Sequence, residues 1–269
     1  MPKPGTYFIH DRITYNKSVL REVFVKFTFI INHKIILMKK SILSLLLITT
    51  FSFNAHAQYC IFFDLKAEEP EMVVSAMQNL MSTEWGKSIQ ATKSLFAYGP
   101  NGNIEATHSI QFCFPDEAAF ESAFMSYGQS MEAQMVWERK LRAHAIEISQ
   151  TLNTPVWYNG EDWAEDNVFM IYQMDITNPA LYLKEFTSIT PKLAKKMGYT
   201  ENSYGLAFPI VGKNKDFSHF VWMGHNDIKS ALSNTKAMFA DPMFAEFSKN
   251  VSGVRTLVNS LMLIRIADF

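Results

Sequence analysis

Residues 107–116 read THSIQFCFPD, and residues 218–227 read SHFVWMGHND. The two stretches align without a gap, Thr107 with Ser218, and each has a hydroxyl residue and histidine at its start and an aspartate at its end. A second pair of stretches, 61–65 (IFFDL) and 172–176 (YQMDI), aligns at the same separation along the chain. Two separate matches at one separation predict an internal duplication.

Each repeat is predicted to contain the element order β-α-β-β-α-β. In the first repeat, the residue patterns predict strands at 59–65, 94–98, 107–114 and 151–157, a helix at 70–85, and further helices after Asp116 and from about Met131. In the second repeat, they predict strands at 168–176, 204–211, 217–223 and 257–266, a helix at 179–197, a turn at 212–215, and helices from Asp227 and Pro242.

This order, in units of about 100 residues, resembles the ferredoxin-like split unit. As a tandem pair it resembles the dimeric α+β barrel superfamily, which includes antibiotic-biosynthesis-monooxygenase-like proteins. The helix start Asp241-Pro242-x-Phe244-x-x-Phe247 adds to the resemblance. The resemblance implies an α+β fold in which two ferredoxin-like units of one chain pair into a barrel. It does not imply a particular reaction, because one fold serves many functions.

Residues 38–57 have the three parts of a secretory signal peptide. Met38 is followed by Lys39 and Lys40, an apolar stretch follows at 42–53, and Ala55-His56-Ala57 provides a small-x-small cleavage site. The apolar stretch is shorter than the roughly 20 residues that span a bilayer. The sequence therefore predicts secretion or export to the periplasm, cleavage after Ala57, and no stable membrane anchor afterwards.

The predicted signal peptide begins at an internal methionine, so residues 1–37 are interpreted as a mis-annotated upstream extension. The expected units are a first ferredoxin-like unit at 58–158, a solvated acidic linker at 159–167 and a second unit at 168–269. Residues 1–57 hold eight of the 25 basic side chains and two of the 26 acidic ones, so the chain after them has a net charge of −7. This charge argues against a nucleic-acid partner, because phosphate binding relies on Lys and Arg.

Alternation along the predicted strands separates two faces in each repeat. If Cys60 lies opposite Cys113, then Phe62 lies opposite Gln111 and Asp64 opposite Ser109. The mixed polar and aromatic face is the predicted lining of a ligand cavity, since pockets combine aromatic walls with a few polar groups. The predicted ligand-binding residues are Phe62, Gln111, Gln173, Phe220 and Trp222.

Cys60 and Cys113 are the only cysteines in the chain. In an oxidising compartment, an even number of cysteines is often paired, and the expected register makes these two cross-strand neighbours. A disulfide and two buried free thiols are equally consistent with the sequence. A catalytic cysteine is disfavoured, because neither residue has an evident activating partner.

Four polar residues are weak candidates for catalysis. Asp64 and Asp175 align at strand ends, and His108 and His219 align at strand starts, so acid/base chemistry is one interpretation. The stronger interpretation is structural, because a strand-end aspartate often caps a turn and the two histidines are expected on the opposite face. The sequence contains no HExxH, CxxC, GxSxG, phosphate-loop or CxxCH motif, so neither a metal site nor a cofactor is predicted.

Three functions are consistent with these features. The leading prediction is a secreted protein, monomeric or weakly dimeric, that binds a small, partly apolar molecule between its two sheets. The alternative, implied by the resemblance, is a cofactor-independent monooxygenase or small-molecule lyase. A third interpretation is a structural barrel whose interior is filled by its own aromatic side chains.

Overall fold

Residues 59–212 and 217–269 are described by a computed structural model of the chain. The predicted upstream extension at 1–37, the predicted signal peptide at 38–57 and most of the predicted turn at 212–215 lie outside the described residues.

The described residues form eight strands in one closed barrel. The strands are β1 (Tyr59–Ala67), β2 (Thr92–Tyr98), β3 (His108–Phe114), β4 (Ala145–Tyr158), β5 (Val168–Ile176), β6 (Tyr204–Val211), β7 (His219–His225) and β8 (Arg255–Asp268). Their order around the barrel is β1-β3-β2-β8-β5-β7-β6-β4, and every neighbouring pair is antiparallel. The predicted α+β barrel of two paired units is confirmed.

Helices follow the first and third strands of each half. They are α1 (Pro70–Ser82), α2 (Glu84–Ser88), α3 (Glu117–Gln129), α4 (Met131–Val136), α5 (Pro179–Met197), α6 (Ile228–Phe239) and α7 (Pro242–Val251). A π-helical turn at Trp137–Leu141 extends α4, and a 3₁₀ turn spans Trp163–Glu165. Among the described helices, none has the length and apolar character that crossing a membrane requires.

Side-chain caps fix where several helices begin. Asp116 accepts a hydrogen bond from the backbone N–H of Ala119 at the start of α3, and Asp227 accepts one from Ser230 at the start of α6. The predicted helix at 70–85 is divided at Thr83, which leaves helical geometry and caps α2 through the N–H of Gly86. Because of this division, α1 ends at Ser82, earlier than predicted.

The two longest strands join the two halves. β4 pairs with β1 of its own half and with β6 of the other half, and β8 pairs with β5 and with β2. Both strands have 14 residues, and both begin earlier than their sequence patterns predict, at Ala145 and Arg255. The two halves therefore share one continuous sheet.

The correspondence between the two halves changes along the chain. Thr107 and Ser218 correspond as the sequence predicts, and each donates its backbone N–H to a carbonyl at the end of the first strand of its half. The accepting residues are Leu65 and Met174, whereas the duplication pairs Leu65 with Ile176. The predicted equivalence of Asp64 with Asp175 is therefore wrong: Asp64 corresponds to Gln173, because the second half has a longer connection between these strands.

The outer face of the barrel packs against the helices of each half. In the first half, Ile61, Ile110 and Phe112 contact apolar residues of α1 and the α4 region. In the second half, Met174, Val221 and Met223 pack against α5 and α7. A third apolar cluster lies on the inner face and includes Phe96, Phe169, Phe220 and Trp222. The alternation that predicted two faces is thus present in both halves.

The segment at 159–167 differs from the expected solvated linker. Glu161 and Asp162 are exposed, but Asp166 is buried and accepts hydrogen bonds from the backbone N–H and hydroxyl of Ser203 at 3.0 and 2.6 Å. The carboxylate also lies against Gly224, where an added Cβ would fall 1.9 Å from an Asp166 oxygen. The segment is therefore attached to the barrel by a buried carboxylate.

Candidate functional site

A cavity of about 70 Å³ lies inside the barrel, between the inner faces of the two halves. Four of the five predicted ligand-binding residues line it: Phe62, Gln111, Phe220 and Trp222. They lie together because β1, β3 and β7 each present alternate residues to the inside. Gln173 does not line this cavity; it lies further along β5, where its side chain accepts a hydrogen bond from Asn259 at 3.4 Å.

Other lining residues were not identified from the sequence. They include Phe96 of β2, Phe169 of β5, Trp163 of the linker segment and Arg265 of β8. Phe169 and Arg265 alternate with outward-facing residues in their strands, so an inward position is consistent with periodicity alone. Trp163 had no comparable signal, because its segment has no strand pattern.

Arg265 forms the polar end of the cavity. Its side chain is 7% exposed, and it donates to the carbonyl oxygens of Asp166 and Trp163 at 2.8 and 2.7 Å. It also donates to the hydroxyl of Ser94 at 2.7 Å and to the carboxylate of Asp268. The guanidinium carbon lies 5.0 Å from the centre of the Phe96 ring. These contacts satisfy the buried charge and join β2, β8 and the linker segment.

Trp222 carries a buried donor on the cavity wall. The residue is 6% exposed, and its indole N–H has no hydrogen-bond partner among the described residues. Its ring is held between Trp163 and Phe220, with ring centroids 6.2 and 6.5 Å away, and Gly205 leaves room for its far edge. An unpartnered buried donor costs about 1–3 kcal/mol, so an acceptor that reached this N–H would be stabilised.

Cys60 and Cys113 also line the cavity, and the structure joins them by a disulfide. They are directly opposite each other on β1 and β3, with their Cα atoms 4.0 Å apart. The disulfide therefore links β1 and β3 covalently beside the cavity.

Asp64 lies on the inner face at the opposite end of β1. Its carboxylate accepts hydrogen bonds from the hydroxyls of Tyr98 and Ser149 at 2.9 and 2.7 Å. Burial raises the pKa of the Asp64 carboxyl, although these hydrogen bonds oppose the shift. Asp175 does not join this cluster: it is exposed near the end of β5. The expectation that Asp64 and Asp175 form a matched pair is therefore not met.

The two candidate histidines do not meet the aspartates. His108 and His219 begin β3 and β7, and the preceding hydroxyl residue contacts Nδ1 of each ring at 2.9 Å. Burial lowers the pKa of His108. Neither ring lines the interior cavity. In the described parts of the chain, no group of three or more His, Cys, Asp or Glu side chains is arranged to hold a metal ion.

Two larger cavities lie outside the barrel, between the sheet and the helices. The cleft of the first half has a volume of about 240 Å³ and includes Phe63, Trp85, Phe124 and Trp137 in its lining. The cleft of the second half has a volume of about 180 Å³ and includes Tyr172, Tyr182, Phe186 and Phe239. The two clefts have related places in the two halves but different charged residues.

Comparison with known proteins identifies the fold. A putative monooxygenase from Fusobacterium nucleatum has a similar structure, with a TM-score of 0.52 and 16% identity over 79% of this chain and 94% of that chain. A putative chlorite dismutase gives a TM-score of 0.49 at 10% identity, covering 79% of this chain and 96% of that one. A heme-binding protein from Thermus thermophilus gives 0.49 at 9% identity, with 78% and 92% covered.

No family model matches the sequence. No curated protein matches it at a significant level. At these identities, the structural similarity establishes the architecture and leaves the chemistry to the residues themselves. The chain has the fold of the dimeric α+β barrel proteins, with both halves in one polypeptide.

Proposed function

We propose that this is a secreted protein that binds a small, partly apolar molecule inside its barrel. The observation that carries the proposal is a largely aromatic cavity whose lining includes Trp222, a residue with an unpartnered indole N–H. Among the described residues, no aspartate, glutamate or histidine lines that cavity, so its walls supply shape and hydrogen bonds without a group that transfers protons.

The cavity volume limits the size of the ligand. A cavity of about 150 Å³ accommodates benzene, whereas this one is about 70 Å³. A molecule of roughly three to five non-hydrogen atoms with one acceptor oxygen fits this volume and completes the hydrogen bonding of Trp222. With at most about 1.5 kcal/mol per atom, a four-atom ligand binds no tighter than about 40 µM.

Binding of this kind is measured best by NMR titration with two matched probes. Acetone carries a carbonyl acceptor, and isobutene has nearly the same shape without one. We expect acetone to shift the indole N–H resonance of Trp222 and to bind about tenfold more tightly than isobutene. The variant Trp222→Phe keeps an aromatic ring but lacks the donor, so it should remove that preference. An unshifted Trp222 resonance, or equal binding of the two probes, contradicts the proposal and favours a packed or water-filled barrel.

The enzymatic alternative rests on Asp64. Its carboxyl is buried and has a raised pKa, as an acid or base catalyst requires, and a protein of the same fold is described as a putative monooxygenase. Both carboxylate oxygens are occupied by hydroxyl donors, and Asp64 does not line the interior cavity. The arrangement supports a structural role for Asp64 more directly than a catalytic one.

A haem does not fit the cavities described. The Thermus thermophilus neighbour is a heme-binding protein, but the largest of the three cavities here is about 240 Å³, less than twice the volume that accommodates benzene. Within the described part of the chain, neither outer cleft has a histidine or a free cysteine in its lining to serve as the usual iron ligand. No step of the proposed function involves such a group.

Secretion is tested separately from binding. The signal peptide at 38–57 predicts that the exported protein begins at Gln58, and N-terminal sequencing of protein recovered from the medium or periplasm measures this directly. A mature protein retained in the cytoplasm, or peptides from residues 1–37 in the native host, would contradict the prediction. The predicted monomer or weak dimer is measurable on the same sample by sedimentation.

A further inference from the structure

We propose that the outer cleft of the first half is a second binding site, specific for a small organic cation with an aromatic or apolar body. This cleft lies between the outer face of β1, β3 and β4 and the helical segments α2, α3 and the π-helical turn. It is separate from the interior cavity, because the outward residues Ile61, Phe63 and Phe112 line it, whereas the inward residues of the same strands line the interior.

Aromatic rings form the walls of the cleft. Phe63 and Trp137 meet edge to face with centroids 4.9 Å apart, and Trp85 meets Tyr127 at 5.1 Å. The Trp85 indole N–H donates to the carbonyl of Ala123 at 3.0 Å, which fixes the ring. Indole and phenol rings have negative π faces, which attract a positively charged group.

The mouth of the cleft is open and apolar. Phe124 is 64% exposed and stacks on Phe120 at a centroid distance of 6.0 Å. A phenylalanine exposed to this extent at the edge of a cavity provides apolar area that a bound ring can cover. The volume of about 240 Å³, compared with about 150 Å³ for benzene, suits a ligand of roughly nine non-hydrogen atoms.

The charged side chains at the rim of the cleft favour a positively charged ligand. Glu138, Arg142 and Glu147 line the cleft, and Arg142 lies 3.1 Å from Glu138 and 3.6 Å from Glu147. The single positive charge of Arg142 is thus shared between two carboxylates. The three side chains together carry one uncompensated negative charge, which favours a cation at the rim.

The cleft of the second half supports this assignment by contrast. Its described lining includes one charged residue, Arg255, and no carboxylate. The two clefts therefore have similar aromatic walls, but the charged residues that line them carry opposite net charge.

The test uses three probes of similar body and different charge: 2-phenylethylamine, 2-phenylethanol and phenylacetate. Calorimetric titration of the purified protein at low ionic strength should show the amine binding about 5- to 10-fold more tightly than the alcohol, with phenylacetate weakest. Raising the salt concentration should reduce the preference for the amine. Equal affinities for the three probes, or tightest binding of phenylacetate, overturns the proposal.

Variants locate the site. Glu147→Gln should remove most of the preference for the amine over the alcohol while leaving alcohol binding unchanged. Phe124→Ala should weaken the amine and the alcohol several-fold, because it removes apolar contact at the mouth. The matched control is Phe239→Ala, since Phe239 is 53% exposed in the lining of the other cleft. An effect of Phe239→Ala as large as that of Phe124→Ala places the probes elsewhere and also overturns the proposal.

Discussion

In the first half of the barrel, Cys60 and Cys113 face each other across β1 and β3, whereas the paired residues of β5 and β7 at this end are Phe169 and Gly224. In the first half, a disulfide links the two strands at this end. In the second half, the absence of a side chain at Gly224 admits the carboxylate of Asp166, which holds Ser203 by two hydrogen bonds. Equivalent positions in the two halves are thus stabilised by different interactions, a disulfide in the first half and hydrogen bonds to a buried carboxylate in the second.

The difference extends to the opposite end of the barrel. Asp64 in the first half corresponds to Gln173 in the second, and each is hydrogen-bonded to a polar residue of the adjacent long strand. The first half therefore buries a titratable carboxyl where the second has a neutral amide. Duplication has preserved the position of the polar group while its charge and its partners differ.

The largest expected effect comes from removing the disulfide of the first half. The disulfide spans 53 residues, and a loop of that size corresponds to about 4 kcal/mol of lost denatured-state entropy. The double variant Cys60→Ala/Cys113→Ala should lower the free energy of unfolding in urea by about that amount. Unreduced protein that takes up two alkyl groups under denaturing conditions, as measured by intact mass, would show that the bond is absent.

Removing the Asp166 carboxylate, which accepts hydrogen bonds from Ser203 in the second half, should have the next largest effect. Asp166→Ala leaves the buried N–H and hydroxyl of Ser203 without their acceptor, so we expect a loss of about 3 kcal/mol in the free energy of unfolding. Glu165→Ala, at a neighbouring position with more exposure, is the control and should change it by less than about 0.5 kcal/mol. Equal stability of the two variants would show that Asp166 does not anchor the segment.

A smaller effect, confined to acid, is expected from a histidine of the second half. His225 is fully buried, neither ring nitrogen has a hydrogen-bond partner among the described residues, and burial lowers the pKa of His225 from 6.5 to about 4. Because the neutral ring is favoured in the folded state, its stabilising effect is complete above pH 6.5 and is lost as the pH falls towards 4. Between pH 7.5 and pH 4.5 the decrease should be about 2.5 kcal/mol.

The measurement compares urea unfolding of the wild type and of His225→Phe at pH 7.5 and pH 4.5. The variant should lose less stability than the wild type on acidification, although burial also lowers the pKa of His108 and leaves part of the pH dependence. His144→Gln, at a partly exposed position beside Glu69, is the control. A pH dependence unchanged by His225→Phe would contradict the assignment.

Local patterns in the sequence predicted most of the elements. β5, β6 and α5 begin and end where the pattern places them, because apolar alternation, Pro179 and Gly198 mark their ends. These features depend on neighbours in the chain, which is why the sequence alone revealed them.

Features that depend on distant partners were not predicted. A shift of two positions in the correspondence between the halves has no effect on alternation, since it keeps every side chain on its face, so the false match of Asp64 with Asp175 looked consistent. Asp166 and Arg265 are buried only because each meets groups far away in sequence, at Ser203 and Ser94. An acidic cluster and a strand-end arginine are ordinarily solvated, and local composition does not distinguish the exceptions.

The pairing of β8 with β2 has a consequence for the synthesis of the chain. The hydroxyl of Ser94 in β2 donates to the carboxylate of Asp268 in β8, 174 residues later in the chain. The circle of strands therefore remains open until β8 has been synthesised, and until then β2 presents an unpaired edge to other chains. If the protein is exported as proposed, such an edge favours transport of the chain before it folds. Loss of β8 would leave the edges of β2 and β5 unpaired, so we expect a chain without this strand to aggregate.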